Sequence, residues 1–320
     1  MKKTNLIILI LIILILTIGV IYLLFYPRSE ETKTVKIGYL PIVASLPLYT
    51  AQENGYFEEQ EINIEAIQIQ TSNQIIEALI RGDIDIGIGL SSVPILAVES
   101  KDPGKIKVFS VSDLTTDRPF DYIITNKEEI TSIKDLEGKK IGVFPGSTAK
   151  KFVKKYLQNA EINITNTKWV DITPPIQLPA LYSGSIDALH SYEPITTIAL
   201  ENPKVKPLAR GVYSEVFDHT PVGVSVVSSK FLKNNPNLAK DTVISFNNAF
   251  DFNREHIGES RKIAEVKFKL DPNVAEKFVI PYVVRSDEID RTVFQKWANL
   301  LFEIEELEIK VDTSTLFYNP

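Results

Sequence analysis

Gly146, Ser147 and Thr148 end the stretch KIGVFPGST at residues 140–148. An apolar strand that passes through such a turn into a helix leaves backbone N–H groups free at the helix start. The helix dipole then favours an anion there by about 0.3–2 kcal/mol. These three residues are candidate ligand contacts, and the same hydroxyls suit helix capping. The stretch lacks the Gly-Lys-Ser/Thr ending of a phosphate loop, which argues against a nucleotide. Other reactive side chains are sparse. His190, His219 and His256 lie far apart and show no paired-histidine spacing, so no metal site and no cofactor are expected. The chain has no cysteine, which excludes disulfides, thiol nucleophiles, thiolate zinc sites and lipid attachment through cysteine. There is no Gly-x-Ser-x-Gly elbow, and Ser147 has no evident base. Glu128 and Glu129 read as a solvated face. Covalent chemistry is therefore not expected, and the chain reads as a binder.

The elements that position the candidate loop recur along the chain. KIGYLP at Lys36 and KIGVFP at Lys140 share K-I-G-x-x-P at an offset of 104 residues. EINI occurs at Glu61 and Glu161, offset by 100. ALIRGDID at Ala78 and ALYSGSID at Ala180 share A-L-x-x-G-x-I-D, offset by 102. SSVPI at Ser91 matches SYEPI at Ser191, and KIKV at Lys105 echoes KVKP at Lys204. Ordered matches at nearly constant offset point to two segments of one architecture.

Each segment reads as alternating strand and helix. VKIGYLP is a short apolar strand ended by proline, and LPLYTAQENGYF carries helical apolar spacing with a stop at Asn54-Gly55. INIEAIQI alternates as a strand does. In TSNQIIEALIRGD, Thr71 and Gln74 fit a capping box, Ile75, Ile76, Leu79 and Ile80 form one apolar face, and Gly82 suits the left-handed position past the helix end. IDIGIG reads as a strand buried on both faces. The second segment repeats the plan through KIGVF, a helix over 147–157, NTKWVDI, a helix through PALYSG, and IDALH. Alternating strands and helices predict parallel sheets with right-handed crossovers. The repeated Asp85 and Asp187 should tie loops to backbone N–H groups. In open parallel sheets, ligands bind beyond the carboxyl ends of the strands. Two facing lobes would bring the turns after Gly38, Ile88, Phe144 and Leu189 together as two half-sites on one small ligand.

Charge and the N-terminus bound the setting. The formal net charge is -6 with a pI near 5.3, which argues against a nucleic-acid partner. After Met-Lys-Lys, residues 6–26 are apolar but for Thr17 and Gly19. As a helix they would rise roughly 31 Å, about one hydrocarbon core. Tyr22, Phe25 and Tyr26 suit an interfacial belt, and Lys2 and Lys3 favour a cytoplasmic N-terminus, against which Arg28 counts. The run ends without a small-residue cleavage site, so an uncleaved signal anchor is expected, with a removed signal peptide as the alternative.

The stretches GYLPIVASLPLYTAQENGYF, EALIRGDIDIG, DLEGKKIGVFPGST and ALYSGSIDALHSYEPI together resemble the substrate-binding proteins of ABC importers, of the nitrate, sulfonate, taurine and thiamine-pyrimidine precursor type. The resemblance covers nearly all of the chain after the apolar run. It implies an α/β fold of two similar lobes joined by crossover hinge segments, the periplasmic binding protein-like II architecture, here preceded by one transmembrane helix. Residues 1–32 would be anchor and linker, 33–115 with 224–320 lobe one with a helical C-terminal portion, and 116–223 lobe two. The crossovers would lie in SDLTTDRPFDYI and FDHTPVGVSVV. Implied contacts are Tyr39, Pro41 and Ile42 on an apolar first loop, hydroxyls of Ser91 and Ser92, His190 beside the cleft, and Tyr192 with Glu193, whose carboxylate would accept hydrogen bonds. Tyr39, Phe144, Tyr182 and Tyr192 could form aromatic walls, at least half of them turning out to be core. The implied role is a monomeric extracytoplasmic receptor that delivers a small solute to a permease with ATPase subunits. Two alternatives remain: an anchored sensory binding protein, and an enzyme like the related eukaryotic pyrimidine synthase. That enzyme's cysteine-containing iron-site motif has no counterpart in a chain without cysteine.

Overall fold

The structure, a computed structural model, describes Thr17 and residues 33–145 and 147–320. The expected anchor at residues 6–26 therefore lies outside the described residues apart from Thr17. Among the described residues no helix is long and apolar enough to cross a membrane.

The chain forms two sheets. The first contains β1 (Lys33–Tyr39), β2 (Ile62–Gln68), β3 (Ile86–Ser91), β4 (Ile106–Leu114), β10 (Thr220–Ser228) and β11 (Val283–Arg285), in the order β11-β4-β10-β3-β1-β2. The second contains β5 (Asp121–Thr125), β6 (Lys140–Val143), β7 (Lys168–Asp171), β8 (Ala188–Tyr192) and β9 (Lys206–Arg210), in the order β7-β6-β8-β5-β9. Set side by side, β4-β10-β3-β1-β2 and β9-β5-β8-β6-β7 are the same arrangement. The recurring sequence segments thus become recurring strands.

The expectation of purely parallel sheets is corrected. β1 runs parallel to β3 and β6 parallel to β7 and β8, but β10 is antiparallel to β3 and β4, and β5 is antiparallel to β8 and β9. The reason lies in the crossovers. β5 follows β4 out of the first sheet, and β10 returns after β9, so each sheet's antiparallel interior strand is supplied by chain arriving from the other. Repeat comparison could not find this, because β5 and β10 sit outside the matched motifs.

Local signals are realised closely. Thr71 caps the helix Ser72–Arg81 by accepting the Gln74 N–H at 3.3 Å, and Gly82 takes φ 85° just past its end. Ile75, Ile76 and Leu79 are buried, whereas Ile80 is 43% exposed. Ile80 lies on the solvent margin of the buried stripe, which Ala78 completes. Both lysine-isoleucine-glycine strands need their glycine. A Cβ on Gly38 would stand 2.5 Å from Ile84 Cδ1, and one on Gly142 would stand 2.7 Å from Ile186 Cδ1. Ile84 and Ile186 are themselves repeat partners, each one residue before the paired aspartates.

The helix Arg291–Glu303 packs its buried Phe294, Trp297 and Leu301 into a core cluster with Ile75, Leu90 and Val226 of the first sheet's layer. The same cluster contains Phe152, on the helix Ser147–Asn159, and Tyr213, both from the chain that builds the second sheet. Phe152 is fully buried, with Tyr213 stacked at 4.6 Å and Trp297 tilted at 5.1 Å. One apolar seam therefore joins the two halves.

Candidate functional site

The carboxyl ends of β1, β3, β6 and β8 carry the four loops expected to meet a ligand. Each loop is fixed from below by sequence-local features. β1 ends at Tyr39, and Pro41 halts the ladder. Ile42 donates its N–H back to Leu40 O at 2.8 Å, a tight turn that leaves Pro41 exposed and Ile42 45% exposed. Tyr39 points the other way, its ring packed edge-on against Tyr49 at 5.7 Å and beside the core of the first sheet.

β3 reaches its end with Gly89 at φ 73°, where an added Cβ would stand 3.0 Å from the Ala44 carbonyl carbon. Glycine is required here both for the left-handed backbone and for the close approach of the first loop. Ser91 then heads the helix Ser92–Lys101, and its N–H is donated to Ser72 Oγ at 3.1 Å. Ser92 is fully buried, and its hydroxyl oxygen accepts the Trp297 indole N–H at 3.1 Å. Its partner is thus a protein side chain beneath the loop.

β6 leads through Phe144, 41% exposed, into the helix Ser147–Asn159. Gly146 lies outside the described residues, and of Ser147 only the backbone is described. Thr148 Oγ1 donates to Glu306 Oε2 at 2.6 Å, and Lys151 Nζ stands 3.2 Å from Glu306 Oε1. The first turn of the predicted anion-favouring helix is thus already held by a carboxylate from the chain that follows the helix Arg291–Glu303.

β8 ends in Tyr192, partly buried, which meets Phe144 edge-to-face at 6.2 Å and His190 at 5.0 Å. Tyr192 and Tyr213 share a hydroxyl hydrogen bond of 3.0 Å, and burial pushes both phenols above their ordinary value, so they are neutral hydrogen-bonding groups. His190 is fully buried. Its Nε2 lies 2.8 Å from Asp121 Oδ2, and Asp121 also accepts the Tyr213 N–H at 3.2 Å. Glu193 follows, only 7% exposed, and its peptide bond to Pro194 is cis. Its Oε2 accepts from Thr197 Oγ1 at 2.7 Å and Thr197 N at 3.2 Å. Burial raises the Glu193 carboxyl above its ordinary value, and the Thr197 bonds offset part of that rise.

The structure thus brings Phe144, His190 and Tyr192 together, with Ile42 and Pro41 exposed on the other half. It gives Ser92, Thr148, His190 and Glu193 protein partners. Of the four aromatics, Tyr39 and Tyr192 are partly buried and pack against the core clusters, whereas Phe144 and Tyr182 are exposed. Tyr182, 42% exposed, stands at the end of the helix Pro174–Tyr182. Sequence reasoning missed Asp121, Tyr213 and Glu306. Asp121 opens a strand outside the repeats, Tyr213 sits on the short helix Val212–Val216, and Glu306 follows the helix Arg291–Glu303; no local motif marks them. Among the described residues, no group of three or more His, Asp or Glu side chains could hold a metal ion.

Comparison with known proteins agrees with this architecture. A Bacillus subtilis (strain 168) protein, provisionally named as binding aliphatic sulfonates, is 24% identical over 300 residues, covering 91% of this chain and 87% of that one. The crystal structure of the periplasmic aliphatic sulphonate binding protein of Escherichia coli matches with a TM-score of 0.74 at 20% identity, covering 90% of this chain and 92% of the other. At that identity the likeness establishes the two-lobe fold. A 4-amino-5-hydroxymethyl-2-methylpyrimidine phosphate synthase of Legionella pneumophila is 27% identical over 141 residues, covering 44% of this chain and 43% of that one. The model of the family described as NMT1/THI5 like matches residues 43–257, and the chain belongs to that family.

Proposed function

We propose that this chain is the extracytoplasmic solute receptor of an ABC importer, with a small organic anion of the sulfonate class as its solute. The observation that carries the reading is the doubled strand plan, which gives each sheet equivalent loop ends, with an aromatic pair, Phe144 and Tyr192, at those of the second. The sulfonate-binding relatives support the solute class. Nitrate, taurine and a thiamine-pyrimidine precursor belong to the same family of reading.

In this mechanism, residues 33–115 with 224–320 form one lobe and 116–223 the other. They rotate about the segments joining β4 to β5 and β9 to β10. A solute that touches both lobes binds the closed form better, and only that difference shifts the population. Ile42 and Phe144 supply apolar contact to the solute. The closed receptor then docks on a permease with cytoplasmic ATPase subunits. The apolar run at 6–26 anchors the chain to the membrane, which raises its effective concentration at the permease. The chain performs no covalent chemistry. The partial likeness to a pyrimidine phosphate synthase favours an enzyme as second reading, and the lack of cysteine counts against the related enzyme's iron site.

A thermal-shift panel on the full chain in detergent tests the proposal. The panel holds ethanesulfonate, taurine, nitrate, bicarbonate and hydroxymethylpyrimidine. A ligand at about 100 times its Kd adds about 2.7 kcal/mol of stability. A saturable shift with a sulfonate is expected. Silence across the panel sinks the receptor reading, and turnover of the pyrimidine replaces it with the enzyme.

A further inference from the structure

A cavity of about 380 Å³ lies beside both crossovers, and none of the loop residues described above lines it. It draws Arg118 from the first crossover and His219 from the second, together with Val111 and Asp113 of β4. Tyr282, just before β11, and Phe294, on the helix Arg291–Glu303, complete it. Its lining mixes apolar side chains with two arginines, one histidine and the carboxylates of Asp113, Glu288 and Asp290.

The carboxylates at this cavity are already committed. Asp113 Oδ2 is 2.9 Å from His219 Nδ1. Glu288 receives Arg254 at 2.9 and 3.1 Å and the Arg285 N–H at 2.9 Å. Asp290 caps the helix Arg291–Glu303, accepting the N–H groups of Thr292 at 2.8 Å and Val293 at 3.2 Å. Arg254 is likewise committed, to Glu288 and Asp251.

Arg118 differs. Among the described residues no carboxylate stands within ion-pair distance of it. Its guanidinium carbon sits 3.6 Å above the Tyr282 ring centroid. That stacking uses the face of the group and fixes its plane, which leaves the N–H edge for a ligand. Arg118, Arg254 and Tyr282 are shared with an adjoining hollow of about 190 Å³ that also contains Arg261. Arg261 Nε is buried and has no acceptor among the described residues. Arg118 thus offers its donor edge to the larger cavity and Arg261 its Nε to the adjoining hollow, while Arg261 Nη2 donates to Phe278 O at 3.0 Å.

We propose that this cavity is a second binding site, for an organic monoanion with an apolar tail. The anionic group accepts from the Arg118 edge, and the tail lies along Val284, Val293 and Phe294. The guanidinium fork suits carboxylate and sulfonate alike. Its walls come from both crossovers, so the site is separate from the facing loops of the two sheets.

The test titrates hexanoate into the full chain in detergent and reads both the melting temperature and the carboxyl ¹³C shift of labelled hexanoate. Inorganic sulfate and 1-hexanol serve as controls for charge alone and tail alone. Saturable hexanoate binding is expected, with neither control saturating in the same range. Arg118→Ala should weaken hexanoate at least tenfold, and Val293→Trp, which fills the cavity, should do the same. Phe144→Ala should leave it unchanged. Arg118 is exposed, so its variant should melt at the wild-type temperature without ligand. No saturable binding, equal binding by 1-hexanol, or a loss in Phe144→Ala with none in Arg118→Ala would each overturn the site.

Discussion

The carboxylate of Asp187 accepts the backbone N–H of Lys140 at 2.8 Å while the Asp187 N–H is donated to Lys140 O at 2.8 Å. Asp85 and Lys36 make the same pair of bonds in the other sheet, at 2.9 and 2.8 Å. In each sheet one aspartate joins the loop entering β8 or β3 to its parallel neighbour, β6 or β1. Removing the acceptor with Asp187→Ala or Asp85→Ala should cost about 1 kcal/mol each. The two sites share no partner, so the double variant should be additive within about 0.5 kcal/mol in urea denaturation. Strong non-additivity would show that the two clasps are coupled through the sheets.

Phe152 should be the most costly single truncation on the second half. It is fully buried between Tyr213 and Trp297. Phe152→Ala should lose about 3–5 kcal/mol, and Trp297→Ala a similar amount. A double-mutant cycle between them should show coupling of about 0.5–3 kcal/mol, because the rings share one contact. Zero coupling would mean that the seam is not formed in solution.

Gly142→Ala should destabilise by about 1–3 kcal/mol, since its Cβ meets Ile186 Cδ1 at 2.7 Å. Ile186→Val removes that methyl, so the pair Gly142→Ala with Ile186→Val should recover part of the loss. Equal instability of the pair and of Gly142→Ala alone would contradict the packing.

Glu193 predicts a pH signature. Its folded carboxyl is raised above the ordinary 4.5, chiefly by burial. The folded state therefore holds a proton that the unfolded chain has released, and stability falls as pH rises through and above that value. Glu193→Gln keeps an acceptor for Thr197 and removes the titration. Its stability relative to wild type should increase between pH 4 and pH 7, read by chemical denaturation at each pH. A constant difference across that range would rule out the raised carboxyl.

Phe144→Ala should weaken a bound sulfonate about tenfold, equivalent to about 1.4 kcal/mol, with the melting temperature of the free chain nearly unchanged because the ring is 41% exposed. Calorimetry decides this, and unchanged affinity would remove Phe144 from the binding surface.

Much of the architecture was readable from residues alone. K-I-G at Lys36 and Lys140 became β1 and β6, and the glycine-aspartate ends of the A-L-x-x-G-x-I-D motifs became helix stops and clasps. Even Glu61 and Glu161, from the EINI pair, both adopt left-handed backbone, at φ 55° and 60°. Yet only the first EINI runs into a strand; after Glu161 the chain turns and β7 waits until Lys168. Tetrapeptide identity fixed the turn, and the longer apolar context decided the strand. What stayed hidden depended on distance. Nothing near Ser92 foretells Trp297, and nothing near Thr148 foretells Glu306, because those partners arrive more than a hundred residues later. The antiparallel β5 and β10 were invisible for the same reason, since strand direction follows the chain's path between sheets.

The ring of Phe152, sealed between Tyr213 and Trp297, also constrains how such a molecule can gape. Parting the halves at that point would wet three large aromatic surfaces at once, so the easier motion keeps this edge shut as a fulcrum.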